Sequence, residues 1–167
     1  MLLPAILNRK EIYCELANKV ARQILFEIEQ IDLLFDTYRD LLERARQNQP
    51  DLVEVTALAS VLHSFYNGIE NIFLSIVKGV DADVPTGSQW HRDLLTRMAE
   101  STPHRKPVLT VETVHQLANY LGFRHFYRHS YSFFLDWNEM ENLVFSLTEV
   151  WAQVKAEIQL FVANLYS

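Results

Sequence analysis

Nine consecutive residues, Phe123 to Tyr131, read FRHFYRHSY and place two arginines, two histidines and two tyrosines in a chain of net charge −6. Such a set suits cleavage of an RNA phosphodiester without a metal. An imidazole, whose pKa lies near working pH, takes the proton from a ribose 2′-hydroxyl. A guanidinium, always charged and donating from several N–H groups in one plane, stabilises the charge that builds on the phosphorane oxygens. Arg124, His129 and Tyr131 supply the cation, the base and a hydroxyl that positions phosphate. Spacing sets a condition. On a regular helix, at about 100° per residue, Arg124 and Tyr131 share a face while His129 lies about 140° from Arg124. Either the helix bends or ends inside the motif, or a second subunit sets its own copy alongside. Gly122 just ahead and the aperiodic SYSFFLDW after it favour distortion, and the site is expected at a groove between two copies.

Blander readings apply to the same residues. His125 and His129 are spaced i, i+4 as zinc-binding pairs on helices are, but no carboxylate or cysteine nearby completes a set, so no metal and no other cofactor is assigned. Phe123, Phe126, Phe133 and Phe134 read as core, and Arg128 as a surface or ion-pair residue. Charge is uneven along the chain: residues 85–131 carry six Lys/Arg against three acids, +3 in all, and the remainder is −9. Five of the six histidines, His91, His104, His115, His125 and His129, also fall there. This is a solvated basic face or a local anion site on an acidic body. The acidic total excludes a protein that simply coats nucleic acid.

The elements that must position these groups are helical. The 167 residues, 49% apolar and 22% charged, fit one globular domain with a substantial core. Cys14 is the single cysteine, which rules out an internal disulfide and suits a reducing, cytoplasmic setting. The opening MLLPAILNRKEI has its positive charges after a short apolar run and is not read as a signal peptide. No apolar run approaches a membrane span.

Residues 10 to 48 lack Gly and Pro, and Ile12, Leu16, Val20, Ile24, Ile28, Ile31, Phe35, Tyr38 and Leu42 recur at helical steps, so one long amphipathic helix is expected. Asp51 and Glu54 form a capping-box pair that opens a second, with Val55, Leu58, Leu62, Ile69, Phe73 and Ile76 on its apolar side and a left-handed stop near Gly79. Ser88 is expected to cap a shorter third helix, through about Ser101, with Trp90, Leu94 and Met98 facing inward. Thr110 starts a fourth that runs into the motif, and Asp136 with Glu139 opens a last long helix striped by Met140, Leu143, Leu147, Trp151, Val154, Ile158, Phe161 and Leu165. About five helices, the first and last long, pack as an all-α antiparallel bundle. Its apolar seams suit homodimerisation.

RHFYRHSY fits the pattern Arg, four to six residues, His, any residue, Tyr. It resembles the signature of HEPN ribonucleases, in particular the HepT-like toxins of prokaryotic HEPN/MNT toxin–antitoxin pairs. LHSFYNGIENIF is similar to the second helix of that family, SQWHRDLL to the third, and VETVHQLANYLGFRHFYRHSYSFFLDWNEMENLV to the C-terminal half. The likeness covers about residues 55 to 150 and implies a single domain over 1–167. It also implies an all-helical homodimer with both motifs at the interface, and metal-independent RNA cleavage that leaves a 2′,3′-cyclic phosphate. Carried over by position, Arg124 and His129 are catalytic and His125 is the assisting polar residue. Tyr131 matches the tyrosine that a partner nucleotidyltransferase antitoxin modifies with AMP in some pairs. Phosphates added beside Arg124 would occupy its fork and block substrate. His63, Asn67 and Glu70 lie on a helix expected to face the site, with no role assigned.

Two other classes compete. One is a non-catalytic helical subunit that binds substrate for, or regulates, a minimal nucleotidyltransferase. The other is a plain helical adaptor. Arg124, His129 and Tyr131, all present, favour the nuclease. An acidic body with a small basic patch suggests few phosphate contacts and recognition by shape, with tRNA the first substrate to consider.

Overall fold

Helix α1 spans Arg9–Thr37, and α2, Arg39–Gln47, continues it after a bend at Tyr38. The expected single helix over 10–48 is therefore two. At the junction the Thr37 hydroxyl donates to the Leu33 carbonyl at 2.7 Å. Tyr38 sits at φ −104°, ψ 14°. The remaining helices are α3, Leu52–Ile76; α4, Trp90–Arg97; α5, Val111–His129; and α6, Trp137–Asn164. The computed structural model describes residues 9–131 and 134–165, with side chains from Cys14 onward. The apolar opening MLLPAILN and Phe133 lie outside the described residues. No strand occurs among the described residues, and the chain is an all-α bundle with long first and last helices.

Most of the stripes read from the sequence form the core, but Leu16 is 40% exposed and the Ile12 side chain lies outside the described residues. Val20, Ile24, Ile28 and Ile31 of α1 are buried, as are Val55, Leu58, Leu62, Ile69, Phe73 and Ile76 of α3 and Met140, Leu147, Trp151, Val154 and Ile158 of α6. Leu94 and Met98 close the α4 end. Of the four phenylalanines around the motif, Phe123 is buried, but Phe126 is 46% and Phe134 61% exposed, so these two are not core.

Caps behave mostly as their residue types require. Asp51 and Glu54 make the full reciprocal box. Thr110 caps α5, and Glu157 from α6 holds that end by accepting from the Thr110 backbone N–H at 2.9 Å and the Thr113 hydroxyl at 2.8 Å. Asp136 caps α6 through Asn138 rather than Glu139, so the second expected box does not form. Gln89, without a side-chain cap bond, stands where Ser88 was expected to cap, because the helix starts later, at Trp90.

Gly79 does not stop α3. The chain runs on through a π-turn, Val77–Asp81, and the left-handed residue is Ala82 at φ 52°. Gly79 matters for space instead. A Cβ there would lie 2.1 Å from Val20 Cγ2, and one at Gly68 2.8 Å from Ile31 Cγ1. The two glycines, eleven residues and about three turns apart, let α3 lie hard against α1. Beyond the turn, Arg105 grips Asp81 with Nε and Nη2, both at 2.9 Å, an ion pair with both side chains buried. It ties the segment between α4 and α5 to the end of α3 and so fixes where α5 begins.

Gly79→Ala should destabilise the fold by about 1–3 kcal/mol through overpacking against Val20. Urea denaturation checks this, and combining it with Val20→Ala should cost less than the two single changes together.

Candidate functional site

Helix α3 carries His63, Asn67 and Glu70 at i, i+4 and i+7, which puts all three on one side. Helix α5 lays Arg124 across that side. Its Nε–H donates to Asn67 Oδ1 at 2.7 Å and its Nη2–H to Glu70 Oε1 at 2.8 Å. Arg124 is only 7% exposed and Glu70 6%. A guanidinium and a carboxylate this buried hold their place only because each satisfies the other. Packing of α5 on α6 fixes the approach: the Tyr120 hydroxyl donates to the Leu143 carbonyl at 2.9 Å, and burial pushes that phenol up to about 12.

Helix α4 supplies a third member. His91 Nδ1 lies 2.6 Å from Glu70 Oε2, and Arg124 Nη1 is 3.4 Å from the same nitrogen. A nitrogen that close to a carboxylate carries the proton, so Nδ1–H donates to Glu70 and the Arg124 contact is a neighbourly approach, not a bond. Trp90 stacks on the His91 ring with centroids 3.5 Å apart, and the His125 ring meets it edge-on at 5.5 Å. On the other side, Asn67 Nδ2 donates to His63 Nε2 at 3.0 Å, while the His63 ring leans on Tyr127. His63 Nδ1 is buried without a partner. One polar chain thus runs from His63 through Asn67, Arg124 and Glu70 to His91.

The surroundings favour neutral imidazoles at two positions. Burial first, then the charges of Arg124 and Arg128, hold His63 below its ordinary value. Burial first, then His91 and the same arginines, do so for His125, against a smaller opposing pull from Glu70.

The motif residues divide between inside and outside. Helix α5 does not bend between Arg124 and His129; it ends there, with Ser130 extended at φ −107°, ψ 149°. A Cβ at Gly122 would meet nothing, and the helix is regular through it. Arg124 therefore points into the bundle, while His129 is exposed at the last turn and Tyr131 stands beyond it, 71% exposed. No hydrogen bond or ring contact among the described residues joins Arg124 to His129. What connects them is a rim: His125 and His129, four apart, share a side of α5, and His125 reaches His91. Asn67 and Glu70 face the site as the sequence suggested. No role was read for His91 from the sequence, since its pairing with a carboxylate twenty-one residues earlier is a tertiary contact.

Among described residues, no three of the types His, Cys, Asp and Glu gather as a metal cage. Among the described residues no helix is long and apolar enough to cross a membrane. A protein-family model described as HepT-like protein matches residues 57–165. Among curated proteins and solved structures nothing matches the chain.

Glu70→Ala strands a buried cation and should cost about 3–5 kcal/mol in urea denaturation, whereas Glu70→Leu with Arg124→Met should recover much of that loss. A second prediction concerns pH. Because the folded chain lowers the pKa of His63 and His125, the unfolded chain binds protons more readily. Stability is then fully present above the ordinary histidine value of about 6.5 and is lost as pH falls through the folded values. Denaturation midpoints should drop below that pH, and less steeply in His63→Leu.

Proposed function

The chain belongs to the HepT-like protein family, and we propose that it is a metal-independent endoribonuclease toxin held in check by a nucleotidyltransferase partner. Arg124 grips the scissile phosphate and His129 takes the 2′-hydroxyl proton. The 2′-oxygen attacks phosphorus, the bond to the 5′-oxygen breaks, and a 2′,3′-cyclic phosphate remains. His125 assists on the rim. The observation that carries this reading is the seating of Arg124. Asn67 and Glu70 hold the Nε–Nη2 edge of its guanidinium, which leaves the Nη1 side to face His91 and the rim. A fork preset by buried partners pays little ordering entropy when it meets phosphate.

A homodimer completes the proposal. Gly122, Phe126 and His129 lie at i, i+4 and i+7 on the outer side of α5, with open space at Gly122 and an exposed ring at Phe126. A second copy against this stripe brings its His129 and rim alongside the first. AMP added to exposed Tyr131 would crowd the same rim with negative charge and oppose RNA. The competing reading, a non-catalytic subunit serving a nucleotidyltransferase, draws on the same ion pair: Glu70 already balances Arg124.

Purified protein given bulk tRNA and mRNA in excess chelator separates the two. Cleavage with cyclic phosphate ends is expected, slowed about 10²- to 10⁴-fold in Arg124→Ala and His129→Ala. If the wild type and His129→Ala treat both RNAs alike, the nuclease reading fails. With ATP and a transferase encoded beside the gene, intact mass should rise by whole AMP units in the wild type and stay constant in Tyr131→Phe.

A further inference from the structure

Cleavage of RNA by its own 2′-hydroxyl needs two proton transfers. A base takes one from the attacking oxygen, and an acid gives one to the departing 5′-oxygen. The motif offers His129 for the first. Of its other titratable groups, His125 packs edge-on against His91, and Tyr131 lies beyond the helix end.

From the geometry we infer that His91 is a catalytic residue of the proposed reaction, the general acid that protonates the leaving 5′-oxygen, with Glu70 as its positioning residue. The assignment rests on the ribonuclease reading. Glu70 divides its carboxylate between two partners, Oε1 to Arg124 and Oε2 to His91 at 2.6 Å. This sets the phosphate-binding cation and the imidazole on one rigid support, with Nη1 and Nδ1 3.4 Å apart. The bond to Glu70 fixes Nδ1 as a donor, so Nε2 is the nitrogen that exchanges a proton. Nε2 has no hydrogen bond from the described residues, yet it is not among the buried orphan atoms, and the side chain is 12% exposed. Trp90, stacked on the ring, fixes its plane. The charged and titratable groups facing the ring are Glu70 from α3 and Arg124 and His125 from α5.

The step balances. The 2′-oxygen–phosphorus bond forms as its proton passes to His129. The phosphorus–5′-oxygen bond breaks, and its electron pair takes the proton from His91 Nε2. The products are a cyclic phosphate and a 5′-hydroxyl. His91 ends neutral and His129 protonated, and solvent exchange restores both.

The test uses a short RNA spanning a linkage that the wild type cleaves, made with the scissile 5′-oxygen or with sulfur in its place. A thiolate departs without a proton, so loss of the acid should matter only for oxygen. His91→Asn keeps an N–H near the Nδ1 position for Glu70 but has no proton to give. It should cleave the oxygen substrate about 10²- to 10⁴-fold more slowly and the sulfur substrate within a few-fold of the wild type. Helicity and thermal melting are read in parallel, and if His91→Asn does not fold, His91→Gln is taken through the same pair. Wild-type behaviour on the oxygen substrate, or equal loss on both by a folded variant, overturns the assignment while leaving the nuclease reading intact. A wild type for which no cleavable RNA linkage is found overturns both.

Discussion

One buried ion pair organises the molecule: the Arg124 guanidinium on the Glu70 carboxylate, where α5 crosses α3. Neither charge is tolerable alone at that depth, and together they fix the relation of three helices, since the second oxygen of Glu70 holds His91 of α4. The rest of the fold serves that crossing. Gly68 and Gly79 bring α3 against α1, Glu157 and Tyr120 lock α5 onto α6, and the Arg105–Asp81 pair fixes the segment that leads into α5. A cation needed at a surface for its charge alone would not require this support. A fork that must meet phosphate in one orientation would.

That crossing also gives the site two unlike ends. Inside, the donors are fixed and the His63 imidazole is held toward neutrality by burial and by the arginines. Outside, His129 and Tyr131 sit where α5 stops and solvent begins. The rim between them is formed by His91 and His125, and on the proposed reading a phosphodiester lies there with its charge toward Arg124. A covalent modifier or a second protein chain can reach the outer end without disturbing the inner one, which suits an activity meant to be silenced from outside.

What was legible in the sequence is what local physics determines. Apolar stripes at helical steps need no partner to be recognised, and they mark the buried faces of α1, α3 and α6. Asp51 with Glu54, and Thr110, cap because their side chains reach backbone N–H groups a turn away. Other features depend on a distant residue or a single bond. The break at Tyr38 leaves no mark in the apolar stripe, which runs through it. Gly79 looked like a helix stop and is a point of close approach, which only the position of Val20 reveals. Phe126 and Phe134 read as core by type and lie at the surface. The spacing of the motif correctly put Arg124 and His129 on different sides of α5, and the face carrying Asn67 and Glu70 could be anticipated. The Glu70–His91 bond could not, because it joins two helices that no periodicity relates.

On the proposed function, Arg124 is a phosphate fork and not only half of a structural ion pair. Arg124→Lys separates the two roles, because an ammonium still balances Glu70 but lacks the planar set of donors. The decisive measurement is this variant's thermal melting taken together with its rate of RNA cleavage. A folded bundle melting close to the wild type and cleavage slowed about 10²- to 10³-fold are expected. Cleavage at the wild-type rate by the folded lysine variant would contradict the fork role.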